Sequence, residues 1–196
     1  MLQIKITVND NYSIAEQAQM AVEAGCAWLR LDVPELDEAF VREQAAELIT
    51  LCRESGVILT MEGRAALARE LGIHGVFVPA DQNAIAVRNE FGPEAIIGTV
   101  AASASSAVTL SKADIDFLQF PRDFNAEEAA KVIADTRNAG CDIPFVAETS
   151  YKEFNDEFVA AMTTAGFAGF VSDGDVFNVA DPVREIENML RLVQKW

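Results

Sequence analysis

The stretch VILTMEGRAALARELGIHGVFVPAD, Val57 to Asp81, contains one complete structural unit. An apolar run ends at Glu62-Gly63-Arg64, an Ala/Leu-rich segment follows and stops at Gly72, and a second apolar run ends at Pro79. Runs of this length, rich in β-branched and aromatic residues, read as buried strands. The segment between them has helical spacing, and a glycine after it supplies the left-handed residue that closes many helices. Strand, helix and strand with short connections predict parallel pairing and a right-handed crossover.

The same unit recurs along the whole chain. The apolar runs are IKITV (4–8), WLRLDV (28–33), VILTME (57–62), GVFVPA (75–80), IIGTVA (96–101), FLQFPR (117–122), PFVAET (144–149) and GFVSD (169–173). Ser13 and Glu16 form a capping box ahead of the first helix. Val41, Ala45, Leu48 and Cys52 make one apolar stripe in the second. Gly25, Gly56, Gly72, Gly92, Gly140 and Gly166 each stand just before a strand. The least periodic unit is the serine-rich ASASSAVTLSKADI, 102–115. Eight such units favour closure into a single (β/α)8 TIM barrel, an α/β fold of eight parallel strands spanning 1–196. An open doubly wound sheet is the alternative, although no strand is followed by a G-x-G-x-x-G or P-loop pattern. The C-terminal helix should begin at Asp181, with Pro182 in its first turn and Val183, Ile186, Leu190 and Val193 facing inward.

The chain has 196 residues, 51% hydrophobic and 23% charged, a globular composition of one-domain size. A formal charge of −16 argues against nucleic acid or an anionic membrane as partner, because phosphates require basic surfaces. No apolar run is long enough for a membrane helix, and the N-terminus lacks the pattern of a signal peptide. Cys26, Cys52 and Cys141 are an odd number without metal-like spacing, which suggests buried thiols and a cytoplasmic location. A small-molecule ligand is the expected partner, and a homodimer is compatible with everything above.

Barrel active sites form at the C-terminal strand ends. The residues there are Asn9 and Asp10; Arg30 and Asp32; Glu62 and Arg64; Asp81 and Gln82; Thr99 and Ser103; Gln119 and Arg122; Glu148, Thr149 and Ser150; and Ser172, Asp173 and Gly174. Crowded carboxylates could hold a hard cation or form an acid/base pair, or could simply reflect the acidity of the whole surface. His74 precedes a strand, belongs to the opposite face and reads as structural, so catalysis by imidazole is not expected. In WLRLDV, alternation puts Trp28, Arg30 and Asp32 on the inward face. A buried Arg30 needs either a carboxylate, Asp32 or Glu62, or a bound anion.

The order of these pieces resembles the thiamine phosphate synthase superfamily, which includes a thiazole tautomerase. The resemblance runs from about Ile14 to Val193 and rests on GCAWLRLDVPELDEAFVREQAAELITLC (25–52), the stretch 57–81, IIGTVAAS (96–103) and IPFVAETS (143–150). It implies a (β/α)8 barrel that joins a hydroxymethylpyrimidine diphosphate to a thiazole phosphate with Mg²⁺. Arg30 and Arg64 match the family. Glu62 stands for its pyrimidine-binding Asn and Gly63 for one metal-binding Asp. Gln82 stands for the second, with Asp81 beside it as a substitute metal ligand. Trp28 and Asp32 replace a Gln and a Lys, Val100 replaces a Ser, and Thr149 and Ser150 replace the paired glycines near the product phosphate. The Thr-rich, Lys-containing loop has no counterpart in FPRDFNAEE. The tautomerase branch relies on histidine, which is unavailable here.

Carried onto this chain, the resemblance implies catalytic roles for Arg30 and Glu62. It implies ligand contacts from Trp28, Asp32, Arg64 and Gln82, phosphate contacts from Thr149, Ser150, Ser172 and Gly174, and Mg²⁺ at Asp81; the strand-end positions add ligand contacts from Gln119, Arg122 and Glu148. Trp28 should fill the space where the pyrimidine would lie. The Lys-to-Asp and Asn-to-Glu replacements make the pocket more negative by about three charges, which disfavours a diphosphate. The expectation is a diverged member that binds a small metabolite, phosphorylated or not, with weak or no synthase activity. An active synthase, or a different enzyme using Glu62 or Glu148 as acid/base, are the alternatives.

Overall fold

Alternating side chains along each strand sort the interior into two cores. The computed structural model describes residues 1–196. Its strands are β1 (Leu2–Ile6), β2 (Trp28–Leu31), β3 (Ile58–Glu62), β4 (Gly75–Val78), β5 (Ile96–Val100), β6 (Phe117–Gln119), β7 (Phe145–Thr149) and β8 (Gly169–Ser172). Ile4, Leu29, Met61, Val76, Ile97, Leu118, Ala147 and Phe170 belong to one cluster of 44 buried residues. That cluster includes residues from the helices, so these side chains face outward from the barrel. Their neighbours Trp28, Phe77, Phe117, Val146 and Val171 form a separate small cluster, with Ile58, Ile96 and Val100 against it. This second core fills the lower part of the barrel itself, as side-chain layers do in small parallel barrels.

The sheet closes in the order β1 through β8, and β8 pairs with β1 in parallel, Ile4 opposite Ser172. The barrel reading of the sequence is therefore correct. The first strand begins two residues earlier than IKITV suggests, and its ladder with β2 runs Ile4–Leu29, Lys5–Arg30 and Ile6–Leu31. Alternation along this strand puts Gln3 and Lys5 on the inward face.

The outer layer consists of α1 (Ile14–Glu23), α2 (Glu38–Ser55), α3 (Ala65–Glu70), α4 (Ala84–Phe91), α5 (Ala104–Lys112), α6 (Ala126–Asn138), α7 (Asp156–Ala165) and α8 (Pro182–Lys195). The capping box is present: Ser13 Oγ accepts from the Glu16 N–H, and the Ser13 N–H donates to the Glu16 carboxylate. Even the serine-rich unit forms its helix, because Ser103 caps α5 through the Ser106 N–H. Asp181 caps α8, and Ile186 and Met189 are its buried anchors, with Val183, Leu190 and Val193 packed beside them. Met189 is an anchor that the expected stripe omits. No helix is long and apolar enough to cross a membrane.

Gly75 and Gly98 are required by close approach. A Cβ on Gly75 would lie 1.9 Å from the Ile96 carbonyl oxygen, and one on Gly98 would lie 2.1 Å from the Phe117 ring. Gly98 thus makes room for the Phe117 ring of the inner core. The aromatics of that core close the barrel from below, and the polar strand ends are left to form the upper face.

Candidate ligand site at the barrel mouth

A lysine in mid-strand is the key to the mouth. Lys5 points inward from β1, and its side chain is only 8% exposed. Its Nζ lies 3.0 Å from Asp32 Oδ2, 2.9 Å from Glu62 Oε2 and 3.2 Å from Glu148 Oε1. These carboxylates come from the C-terminal ends of β2, β3 and β7. Only the Asp32 contact has hydrogen-bond geometry. Glu62 Oε2 is buried without a hydrogen-bond partner, so its contact with the ammonium is purely Coulombic. Sequence reading missed Lys5, although the signal was available. In LQIKIT, Gln3, Lys5 and Thr7 alternate with Leu2, Ile4 and Ile6 just as the polar set does in WLRLDV.

Arg30 lies on β2 beside Lys5 and is completely buried. Its expected partner was Asp32 or Glu62, but its hydrogen bonds go to amides. Nε donates to Gln3 Oε1 at 3.1 Å and Nη1 to Gln119 Oε1 at 2.8 Å. Glu62 is a longer ion-pair partner at 3.7 Å, and the guanidinium carbon sits 4.1 Å from the centre of the Phe77 ring. Gln119 Nε2 then donates to Glu148 Oε2 at 2.6 Å, which joins the two cations through one network. Gln3 Nε2 is a buried donor with no partner in the protein. Arg122, mostly exposed, reaches Glu148 at 3.3 Å and Asp173 at 3.6 Å.

Other expected site residues serve the protein itself. Arg64 donates to the carbonyls of Val33, Pro34 and Leu36, tying down the loop after β2. Thr149 Oγ1 donates to Glu153, Ser150 Oγ caps the Lys152 N–H, and Ser172 Oγ donates to the Asp173 carbonyl. Gly174 packs so closely on Thr7 that a Cβ there would lie 2.2 Å from its hydroxyl. The Asp173 carboxylate accepts from the Tyr151 and Asp175 N–H groups, so an internal anion already meets donors of the loops after β7 and β8. Asp81 and Gln82 are exposed beyond β4 and line a groove toward α5 with Ser106 and Leu110. Trp28 needs correction. Its ring meets Phe117 edge-on at 5.5 Å and its Nε1 donates to Thr60 at 3.1 Å, within the lower apolar layer. Its place at the start of β2 takes it away from the mouth, so it does not displace a ring there. His74, as expected, is structural: its Nδ1 accepts from the Leu59 N–H at 3.0 Å.

The charges of this network fix its protonation. Burial pulls the Lys5 ammonium down, but Glu62, Glu148 and Asp32 outweigh it and hold the pKa above the ordinary lysine value. Such a lysine stays charged and is no amine nucleophile at neutral pH. Burial raises Glu148, yet Lys5 and Arg122 outweigh it and hold the carboxyl below its usual range. Burial, and then Asp175, push Asp173 up. Three cations, Lys5, Arg30 and Arg122, face four carboxylates, Asp32, Glu62, Glu148 and Asp173, for a net charge of −1. Lys5 returns a positive charge that the sequence comparison did not count, and the mouth is correspondingly less acidic than expected.

A Mg²⁺ ion does not fit these residues. The point on which the carboxylates converge is held by Lys5 Nζ, and Asp81 makes no ion pair with the network. No group of three or more Asp, Glu, His or Cys side chains is disposed to hold a metal. A shallow depression of about 480 Å³ lies between α1 and α2, but its lining of Ala15, Ala46, Leu48 and Leu51 includes no strand-end residue. A smaller one, about 190 Å³, opens on the same face as the network beside the end of β1. It is lined by Thr7, Asn9, Tyr12, Leu36, Phe40 and Gln44. By its position and mixed lining the smaller depression is the better candidate for ligand contact.

Residues 4–134 match the family model for thiamine monophosphate synthase. The chain is 28% identical to a thiamine-phosphate synthase of Bacteroides fragilis, over 93% of this chain and 95% of that protein. It is likewise 28% identical to one of Bacteroides thetaiotaomicron, over 94% and 95%. Among solved structures it superimposes on a thiamine phosphate pyrophosphorylase from Pyrococcus furiosus with a TM-score of 0.82 and 21% identity, covering 99% of this chain and 95% of that one.

Proposed function

The chain belongs to the thiamine monophosphate synthase family, and from that premise we propose that its barrel mouth binds a small metabolite of thiamine metabolism, with weak or no synthase activity. The observation that carries this reading is the state of the cations. Lys5 faces three carboxylates, Arg30 is enclosed by Gln3 and Gln119, and Arg64 is committed to backbone carbonyls. Diphosphate departure needs positive charge aimed at the leaving oxygens. Here the cations are already engaged by the protein, Lys5 by carboxylates and Arg30 and Arg64 by neutral oxygens that occupy their donors. The exposed cation of the mouth, Arg122, is paired with Glu148 and Asp173, and the partly exposed Asp32 and Glu62 prefer a neutral or cationic ligand to an anionic one. The Tyr12/Leu36/Phe40 depression beyond the end of β1 offers an apolar seat for a heterocycle.

A thermal-shift screen tests this, with the pyrimidine and thiazole alcohols, thiamine, their phosphates and diphosphate, each with and without Mg²⁺. A ligand at 100 times its Kd adds ~2.7 kcal/mol of stability. Stabilisation by an unphosphorylated compound without Mg²⁺ is expected. Stabilisation by the pyrimidine diphosphate only, and only with Mg²⁺, favours the second reading, an active synthase. That reading draws support from thiamine-phosphate synthases that align over nearly the whole chain.

A further inference from the structure

We propose that the Lys5 ammonium is a built-in substitute for a divalent cation, keeping the mouth of this barrel free of metal. Asp32, Glu62 and Glu148 arrive from three strands and place one oxygen each within 2.9–3.2 Å of a single point. Converging carboxylates from separate strands are the usual donors for a hard cation. At that point this chain has a side chain of its own. Arg30 adds a second positive charge 3.7 Å from Glu62. Lys5 and Arg30 together supply the two charges that one divalent ion would bring.

The spacing is that of an ammonium. Oxygens bind Mg²⁺ at about 2.0–2.1 Å and Ca²⁺ at about 2.3–2.6 Å, so a metal would need the three carboxylates to draw inward. Glu62 Oε2, ion-paired but without a hydrogen bond to hold it, is the oxygen most able to do so. While Lys5 is in place, an entering divalent ion meets a like charge at close range, and exclusion follows from Coulomb repulsion. The inference concerns the proposed ligand site but rests on its geometry alone, whichever metabolite binds.

The test is cation binding rather than turnover. Mn²⁺ is titrated by electron paramagnetic resonance into the wild-type protein, Lys5→Met, and Lys5→Met combined with Glu62→Gln. The wild type should show no saturable site. Lys5→Met should bind one Mn²⁺ per chain, at least about tenfold tighter than wild type, and the double variant should lose it. A saturable Mn²⁺ site in the wild type that Glu62→Gln removes would overturn the proposal, as would a folded Lys5→Met without a site. If Lys5→Met does not fold in metal-free buffer, rescue of folding by Mn²⁺ or Ca²⁺ but not K⁺ supports it, and absence of rescue overturns it.

Discussion

Lys5 Nζ stands 2.9 Å from Glu62 Oε2, and neither residue has another close counter-charge at that distance on its own strand. The pair links β1 to β3 across the barrel mouth, and Asp32 and Glu148 complete the ring around the same ammonium. Removing a cation from such a ring leaves three carboxylates facing one another. Lys5→Met should therefore destabilise the fold by about 3–5 kcal/mol, the usual cost of breaking a buried ion pair. Adding Glu62→Gln should recover part of the loss. Urea denaturation of the single and double variants measures both; an equal loss in the two would contradict the coupling.

The pH dependence follows from the same network. Glu148 has a depressed folded pKa, so its contribution is present above its unfolded value of about 4.3 and is lost as pH falls through the lower folded value. Lys5 has a raised folded pKa, so its contribution is complete below about 10.4 and is lost as pH rises through the higher folded value. Between those limits these two groups should give a plateau. Glu148→Gln should flatten the acid limb selectively, which chemical denaturation at several pH values can check.

Trp28 separates a structural role from a ligand role. Its ring fills the lower layer against Phe117, so Trp28→Ala should cost about 3–5 kcal/mol. Trp28→Phe should be milder and should leave ligand-induced thermal shifts unchanged. A selective loss of ligand response in folded Trp28→Phe would put the ring back in the site.

Gly98 is where the backbone makes room for Phe117. Gly98→Ala places a methyl 2.1 Å from that ring and should destabilise by about 1–3 kcal/mol. Combining it with Phe117→Leu should restore much of the stability. A tolerated Gly98→Ala would mean that the inner core is looser than described.

The barrel was legible because outward-facing strand residues are almost all apolar and helix stops are glycines with positive φ, such as Gly72 and Gly140. The inward residues were harder. Arg30 and Asp32 stood out because they flank Leu31 in an otherwise apolar run, whereas Lys5 was hidden in a run defined by its isoleucines. Trp28 was assigned correctly to the inward face but to the wrong height, since alternation gives the side of a strand and not the depth along the barrel axis. Whether Arg64 or Ser150 face a ligand or their own loop depends on loop geometry, which residue spacing does not encode.

The central claim is that cations already engaged by the protein's own groups give this family member weak or no diphosphate departure. The direct measurement supplies purified protein with hydroxymethylpyrimidine diphosphate, thiazole phosphate and Mg²⁺, and follows thiamine phosphate by a sensitive readout. Losing one preorganised electrostatic contact typically costs about 3–4 kcal/mol at the transition state, so formation should be absent or orders of magnitude below that of an active relative assayed alongside. Comparable turnover, abolished by Glu62→Ala or Asp81→Ala, would contradict the account and make those carboxylates metal ligands.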